Sequence, residues 1–302
     1  SVLISVIKFS GYWWSVLQSD QPIEPGPNRF TDDPNDVWVD PNGHLCMSIV
    51  HKDPNWYCSE VITSDRLGYG TYAFTIKGDV NSLDPNIVLG LFIYDVNDAN
   101  EGAQQIGVQF TRWANPDDPN NAQFTVPSGD VQRFQIDCSA DTETTTHEIT
   151  WQQDQIYFRS YYGDYPLKDS ADIIATWCYA GEDIPQPGYD DPRISFYLLA
   201  GAPPTNGQDA EIVIKSFQFN PTCWNYLTQC HGDADNDGDV KGSDFLALKN
   251  SWYKCYPDSA YNSCADFDSD GCIKGSDFLI LKANWYQPVD ANCPPRRCGA
   301  YD

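Results

Sequence analysis

Short runs of β-branched and aromatic residues, separated by polar turns, fill the chain from its start to Pro221. The runs Asp36–Asp40, His44–His51, Thr71–Ile76, Ile87–Tyr94, Ile156–Tyr162, Ile194–Leu199 and Glu211–Phe219 have the composition of strands on a pleated, half-buried surface. Between them stand turn-forming clusters, among them Asp40-Pro41-Asn42-Gly43, Asp53-Pro54-Asn55, Asn115-Pro116-Asp117-Asp118 and Pro203-Pro204-Thr205-Asn206-Gly207. No helical period persists before residue 240. Many short strands joined by turns predict a mainly β fold, a sandwich or jelly roll, over residues 1–221. The apolar segment Val2–Ile7 reads as one further strand.

Beyond Pro221 the pattern changes. Residues 222–231 read as a linker, 232–289 as a small module and 290–302 as a tail containing Cys and Pro. The module holds an internal repeat: Asp233–Tyr253 matches Asp266–Tyr286 at an offset of 33 residues, with 14 of 21 positions identical. Each copy is an acidic loop followed by an amphipathic stretch, Phe245–Trp252 or Phe278–Trp285, which predicts a helix. Asp244 and Asp277 stand at the starts of these helices, where a carboxylate complements the positive end of the helix dipole.

The acidic loops have the spacing of a calcium site. Asp233, Asp235, Asp237, Gly238, Asp239 and Asp244 occupy positions 1, 3, 5, 6, 7 and 12 of an EF-hand-like loop. Asp266, Asp268, Asp270, Gly271, Cys272 and Asp277 take the same places in the second copy. Calcium takes about six to eight oxygens, and alternate residues of a tight loop aim their carboxylates at one centre. Gly permits the sharp turn, and position 7 contributes its backbone carbonyl, so Cys272 is acceptable there. Asp in place of the usual Glu at position 12 has a shorter reach. A lone acidic turn would be an ordinary solvated loop. Two copies with matching Gly, an apolar Val240 or Ile273 after it and a trailing helix predict two bound Ca2+ ions.

Charge and cysteine count narrow the setting. Asp and Glu number 43 against 18 Lys and Arg, a net charge of −25. That balance excludes a nucleic-acid backbone or an anionic membrane as partner and suits neutral polysaccharide and multivalent cations. No stretch approaches the roughly 18 apolar residues of a membrane helix. Eleven cysteines point to an oxidising, extracellular environment, and the odd number leaves one thiol over or one bond between chains. Seven of them lie from Cys223 to Cys298, and the bonds they form are expected to stay within that region. The start at Ser1, without Met or a charged leader, fits a mature form whose signal has been removed.

Two calcium loops, each followed by one helix and with no full leading helix, resemble a dockerin module over about residues 232–288. The resemblance implies a cohesin-like partner and a place in an extracellular assembly. In that family, loop positions 10 and 11 help read the cohesin; here they are Gly242-Ser243 and Gly275-Ser276, the same in both copies. Family members often carry two hydroxyl residues there, so the glycines leave the partner type open. The likeness of the halves implies binding in two orientations.

The first region is similar to glycoside hydrolase family 16, the laminarinase-like, concanavalin-type jelly roll. The segments that carry the likeness are Tyr69 to Phe74, Val88 to Phe92, Ile156 to Phe158, Ile194 to Leu199 and Ile212 to Phe217. The family's catalytic strand reads Glu-Ile-Asp-Ile-Glu: nucleophile, supporting Asp and acid/base. Alternate strand residues share a face, which lets two carboxyls bracket one glycosidic bond at about 5 Å in retaining enzymes. In this chain the matching stretch is Gln105-Ile106-Gly107-Val108-Gln109-Phe110. Gln105, Gly107 and Gln109 take the places of the three carboxylates, and an amide neither attacks nor donates a proton as a carboxyl does. The alternation of Ile106, Val108 and Phe110 fixes this register against Glu101 upstream. Glu60 is the other carboxylate of note, with a structural charge inside the sandwich as its competing role. Trp113, Phe92 and Tyr94 are candidate sugar-stacking aromatics, with core packing as theirs.

Three readings follow from the sequence. The first is a non-catalytic extracellular subunit whose jelly roll binds polysaccharide or acts as scaffold and whose dockerin attaches it to a larger assembly. The second is an active β-glucan hydrolase in a cellulosome-like complex. The third is a self-assembling filament or surface-layer protein in which the module and the N-terminal strand contact a neighbouring subunit.

Overall fold

The structure, a computed structural model, describes residues 5–63, 65–95, 105–137, 144–153, 155–181, 184–188, 190–221, 232–234, 240–256, 258, 260–268 and 270–286. Two antiparallel sheets face each other. The first runs in the order β1 (Ser5–Phe9), β2 (Tyr12–Val16), β7 (Asn55–Thr63), β16 (Asp190–Leu198), β9 (Ile87–Asp95), β10 (Gln105–Phe110), β11 (Ala122–Thr125) and β12 (Val131–Phe134). The second runs β5 (Val37–Val39), β6 (Leu45–Lys52), β17 (Ala210–Pro221), β8 (Gly70–Lys77), β13 (Thr144–Trp151), β14 (Ile156–Tyr162) and β15 (Ile173–Tyr179). The pairing of β6 with β7 joins the two sheets, and β3 (Ser19–Ile23) and β4 (Asn28–Phe30) extend the joint, β4 lying parallel to β7. This is a jelly-roll-like sandwich.

All seven strand-like runs fall on strands, with ends that shift by a few residues. The largest shift is at Ile194–Leu199: its strand starts at Asp190, and Leu199–Gly201 is a single helical turn. The strand-like segments leave out β2, β3, β4, β7, β11, β12, β13 and β15; in β7 the buried Ser59 and Glu60 break the apolar pattern, and the residues of β15 are all half-buried. The N-terminal strand begins at Ser5; the four residues before it lie outside the described ones.

Alternation sets the core. Ile106, Val108 and Phe110 point between the sheets with Leu91, Phe124, Ile194 and Phe196, opposed by Tyr72, Phe74, Ile76, Phe158 and Phe217. Fully burying one such side chain is worth about 1.5–3 kcal/mol. His147 is enclosed among them, its ring nitrogens 2.8 Å from Ser160 Oγ and 2.9 Å from Thr145 Oγ1, and burial pushes its pKa down to about 3.

The C-terminal module contains α1 (Gly242–Asn250) and α2 (Gly275–Ala283). Both helices start and end earlier than the amphipathic stretches predict. Asp244 and Asp277 lie inside the first turn, accepting from the backbone N–H of Lys241 and Lys274, each at 2.8 Å, so the helices begin before them. Tyr253 and Tyr286 adopt left-handed backbone, φ 58° and 57°, shortly after the helices end. Those two residues also knit the halves: Tyr253 N donates to Ile273 O at 2.9 Å and Tyr286 N to Val240 O at 2.8 Å. The small core is Val240, Leu248, Ala265, Phe267, Ile273 and Leu281.

Candidate functional sites

The register places the family-16-like positions on one face of the first sheet, turned away from the core. Directly paired residues share a face, so Glu60, Ser195, Gly90, Gln109, Gln123 and Arg133 form one row across β7, β16, β9, β10, β11 and β12. Arg193, Phe92, Gly107 and Thr125 form the next row, and Tyr94 with Gln105 the one after it. The sheet therefore brings Gln105, Gln109, Phe92 and Tyr94 together as the sequence predicts.

Gln109 is held in a polar chain. Its Oε1 accepts from Gln123 Nε2 at 2.8 Å, and Gln123 Oε1 accepts from Trp113 Nε1 and from the Arg133 guanidinium, each at 2.9 Å. Arg133 continues to Asp118 at 2.8 Å. Trp113 remains 38% exposed, with its indole edge fixed by that bond and its backbone left-handed at φ 50°. Phe92 fills the floor between two glycines. A Cβ on Gly107 would stand 2.7 Å from Phe92 Cβ, and one on Gly90 would stand 3.1 Å from the Phe92 ring. A side chain at residue 107 would thus meet the Phe92 Cβ, the Leu91 carbonyl oxygen at 3.0 Å and Gln105 Nε2 at 3.4 Å.

Glu60 sits at the other end of the row, 2% exposed. Its Oε1 lies 3.4 Å from the Arg193 guanidinium, which stacks 4.6 Å above the Tyr94 ring. Burial holds its carboxyl above the usual carboxylate range, with Arg193 pulling against that shift. Ser195 faces the carboxylate, but its geometry falls short of a hydrogen bond. Glu60 Oε2, Arg193 Nε and Ser195 Oγ are all buried without a hydrogen-bond partner. Sequence reasoning noted Glu60 but missed Gln123, Arg133, Arg193 and Ser195. Only the strand register reveals them. Glu101 lies outside the described residues.

The second acidic loop fits a cation. One carboxylate oxygen from each of Asp266, Asp268 and Asp270 falls within 4.8 Å of the others. An ion about 2.4 Å from each oxygen spans just such a set. Burial and the charges of Asp277 and Asp268 hold the Asp266 carboxyl well above its usual range, a repulsion that a divalent cation relieves. Gly271 turns at φ 84°. Asp277 is fully buried and accepts from Phe267 N at 2.7 Å and Lys274 N at 2.8 Å, closing the loop on α2. In the first copy, Asp233 is buried and Asp244 accepts from Ala234 N at 2.6 Å in the same manner; Asp235, Asp237 and Asp239 lie outside the described residues. Cys272 is disulfide-bonded to Cys255, which leaves its carbonyl for the loop.

At the positions assigned to cohesin reading, Gly242 and Gly275 are exposed, while the Ser243 and Ser276 hydroxyl oxygens are buried. The exposed apolar side chains beside them are Phe245, Leu246 and Leu279, with Tyr253 and Tyr286 beyond. Cys46 and Cys58 are buried free thiols, Cys178 and Cys264 are disulfide-bonded, and Cys138, Cys223, Cys230, Cys293 and Cys298 lie outside the described residues. Among the described residues no helix is long and apolar enough to cross a membrane.

Residues 231–284 match the family model of the dockerin type I domain. No curated protein matches the chain. Among solved structures, the sandwich is similar to the β-glucanase of Bacillus licheniformis, with 18% identity and TM-score 0.50 over 68% of this chain and 91% of that one. An immunostimulatory antigen and pseudo β-1,3-glucanase of Mycobacterium tuberculosis gives 20% identity and TM-score 0.52, covering 68% and 90%. A β-1,3-glucanase from Mycobacterium marinum gives 16% and 0.51, again over 68% and 90%. The chain therefore carries a dockerin type I domain at residues 231–284, joined to a sandwich with the fold of these glucanases.

Proposed function

We propose that the sandwich holds a neutral β-glucan-like polysaccharide without cleaving it, while the dockerin, with two Ca2+ ions bound, attaches the chain to a cohesin-bearing extracellular assembly. The observation that carries the reading is the strand Gln105–Phe110. Its outward positions are an amide, a glycine closed off by Phe92 and a second amide already bonded to Gln123. Retaining hydrolysis needs an ionised nucleophile and a protonated acid across one bond, and general acid–base help is typically worth about 10²–10⁴-fold. Amides supply neither. What the row offers instead is amide and guanidinium donors beside the half-exposed Trp113 and Tyr94, a surface suited to sugar hydroxyls and sugar faces. The net charge of −25 disfavours polyanionic glycans.

Two assays test this together. Reducing-sugar release from laminarin and lichenan should be nil, and migration in gels containing the same glucans should be retarded, less so for Trp113→Ala. Hydrolysis by the unmodified protein that Glu60→Gln abolishes would instead make the chain an active glucanase using Glu60. Calcium-dependent capture by a cohesin module tests the attachment; self-association into filaments without cohesin would favour the structural-protein reading.

A further inference from the structure

The two calcium loops are near copies, yet the second is built into the surface of the sandwich. Gly271, at position 6, turns directly against the end of β17, where an added Cβ would stand 2.6 Å from Asn220 Oδ1 and 3.1 Å from its Cγ. Asn220 is itself fixed by donating to the Tyr165 hydroxyl. Tyr256 completes the contact. Its backbone N–H donates to Gly271 O at 3.0 Å, its ring meets Phe219 edge-on at 5.6 Å, and its hydroxyl accepts from that of Tyr12 at 3.2 Å. The disulfide from Cys255 to Cys272 ties the residue before Tyr256 to loop position 7. Tyr261, 6.2 Å from the Tyr256 ring, donates to Asp266 Oδ2 at 2.6 Å, at the first ligand position. A continuous set of contacts thus runs from β17 and Tyr12 through Tyr256 and the loop turn to a calcium carboxylate. The described residues flanking the first loop pack inside the module, Gly232 against Leu281 and Val240.

We propose that Asn220 and Tyr256 are positioning residues for the second calcium site, so that the docked sandwich and an ion in that loop stabilise each other. The inference rests on reading the loops as calcium sites. A loop that wraps its oxygens around an ion loses freedom on binding, and a turn already held from outside loses less. The coupling is reciprocal: docking raises affinity at the second loop, and an ion there strengthens docking by the same factor. The proposal assigns this dependence to the second loop, so two sites of nearly the same sequence should bind calcium with different affinity.

The test is calorimetric titration of Ca2+ into the full chain after chelator treatment. The unmodified protein should show two affinities, and Asn220→Ala and Tyr256→Ala should each weaken one of them by about tenfold while sparing the other. The converse experiment decides the matter even where a substitution at Tyr256 unfolds the module. In saturating calcium, Asp268→Asn with Asp270→Asn should lower the melting temperature of the sandwich, and Asp235→Asn with Asp237→Asn should leave it unchanged. Two bound ions with neither site sensitive to Asn220, or a sandwich indifferent to both pairs, overturns the inference and leaves the calcium reading standing. No bound ion at all overturns the calcium reading itself.

Discussion

Between β1 and β17 the chain buries Trp14, Phe30, Phe74, Phe110, Trp151, Phe196 and many more side chains between two sheets, whereas the described module buries six apolar residues. Their polar groups differ to match. In the sandwich core, His147 and its two hydroxyl partners satisfy one another without help from outside. In the second loop of the module, oxygens of Asp266, Asp268 and Asp270 crowd within 4.8 Å of one another, and Lys274 pairs with Asp270. The comparison teaches that one region is held by hydrophobic burial, while the other combines a small core with a cross-link and crowded carboxylates, as small domains with too little core require. Conditions that leave one intact should therefore melt the other.

The largest expected effect is on the module. Chelating calcium should abolish hydrogen-exchange protection of α1 and α2 while the strands of the sandwich keep theirs. Equal protection of both regions with and without chelator would erase the distinction.

Acid should act the other way, on the sandwich. His147 titrates near 6.5 when unfolded and near 3 when folded, so between those values the unfolded chain binds the extra proton. The stability it contributes is present above pH 6.5 and is lost as pH falls toward 3. From pH 7 to pH 4 this amounts to about 3 kcal/mol, readable as a fall in the denaturation midpoint of the sandwich that His147→Gln reduces.

Packing on the outer face gives a smaller effect. Gly107→Asp, alone or with Gln105→Glu and Gln109→Glu, sets a side chain against Phe92 and the Leu91 carbonyl and should cost about 1–3 kcal/mol of sandwich stability without restoring glucan hydrolysis. Adding Phe92→Ala, which keeps the Cβ that the new side chain meets, should not recover that loss. A triple variant as stable as the parent would mean that the floor yields more readily than its contacts indicate. The smallest effect belongs to the seam between the regions. Tyr12→Phe removes one half-buried hydrogen bond to Tyr256 and should lower the melting temperature by the equivalent of about 1 kcal/mol.

Much of this was legible in the residues. The seven runs of β-formers fall on strands, and the alternation of Ile106, Val108 and Phe110 placed Gln105 and Gln109 on the face opposite the core. The repeat marked both loops and both helices, though the helices end at Asn250 and Ala283, sooner than apolar spacing implies. The polar row was not legible: Gln123 and Arg133 stand on short strands with no motif, and the Ser243 and Ser276 hydroxyls turn inward where the sequence offered them to a partner.

The sequence by itself determined what depends on neighbours a few positions apart: strand period, loop spacing, the duplicated helix and the alternation that sets Gln105, Gly107 and Gln109 on one face of a strand. The tertiary structure decided what depends on residues brought together from far along the chain. Glu60 and Arg193 are 133 positions apart, and Tyr12 and Tyr256 are 244 apart. Local periodicity carries no information about such pairs, because their contact is set by which strands lie side by side and in what register. That is why the shared face of Gln105 and Gln109 could be read directly, while the contacts of Phe92 with Gly107 and of Asn220 with the turn at Gly271 appear only in the folded molecule.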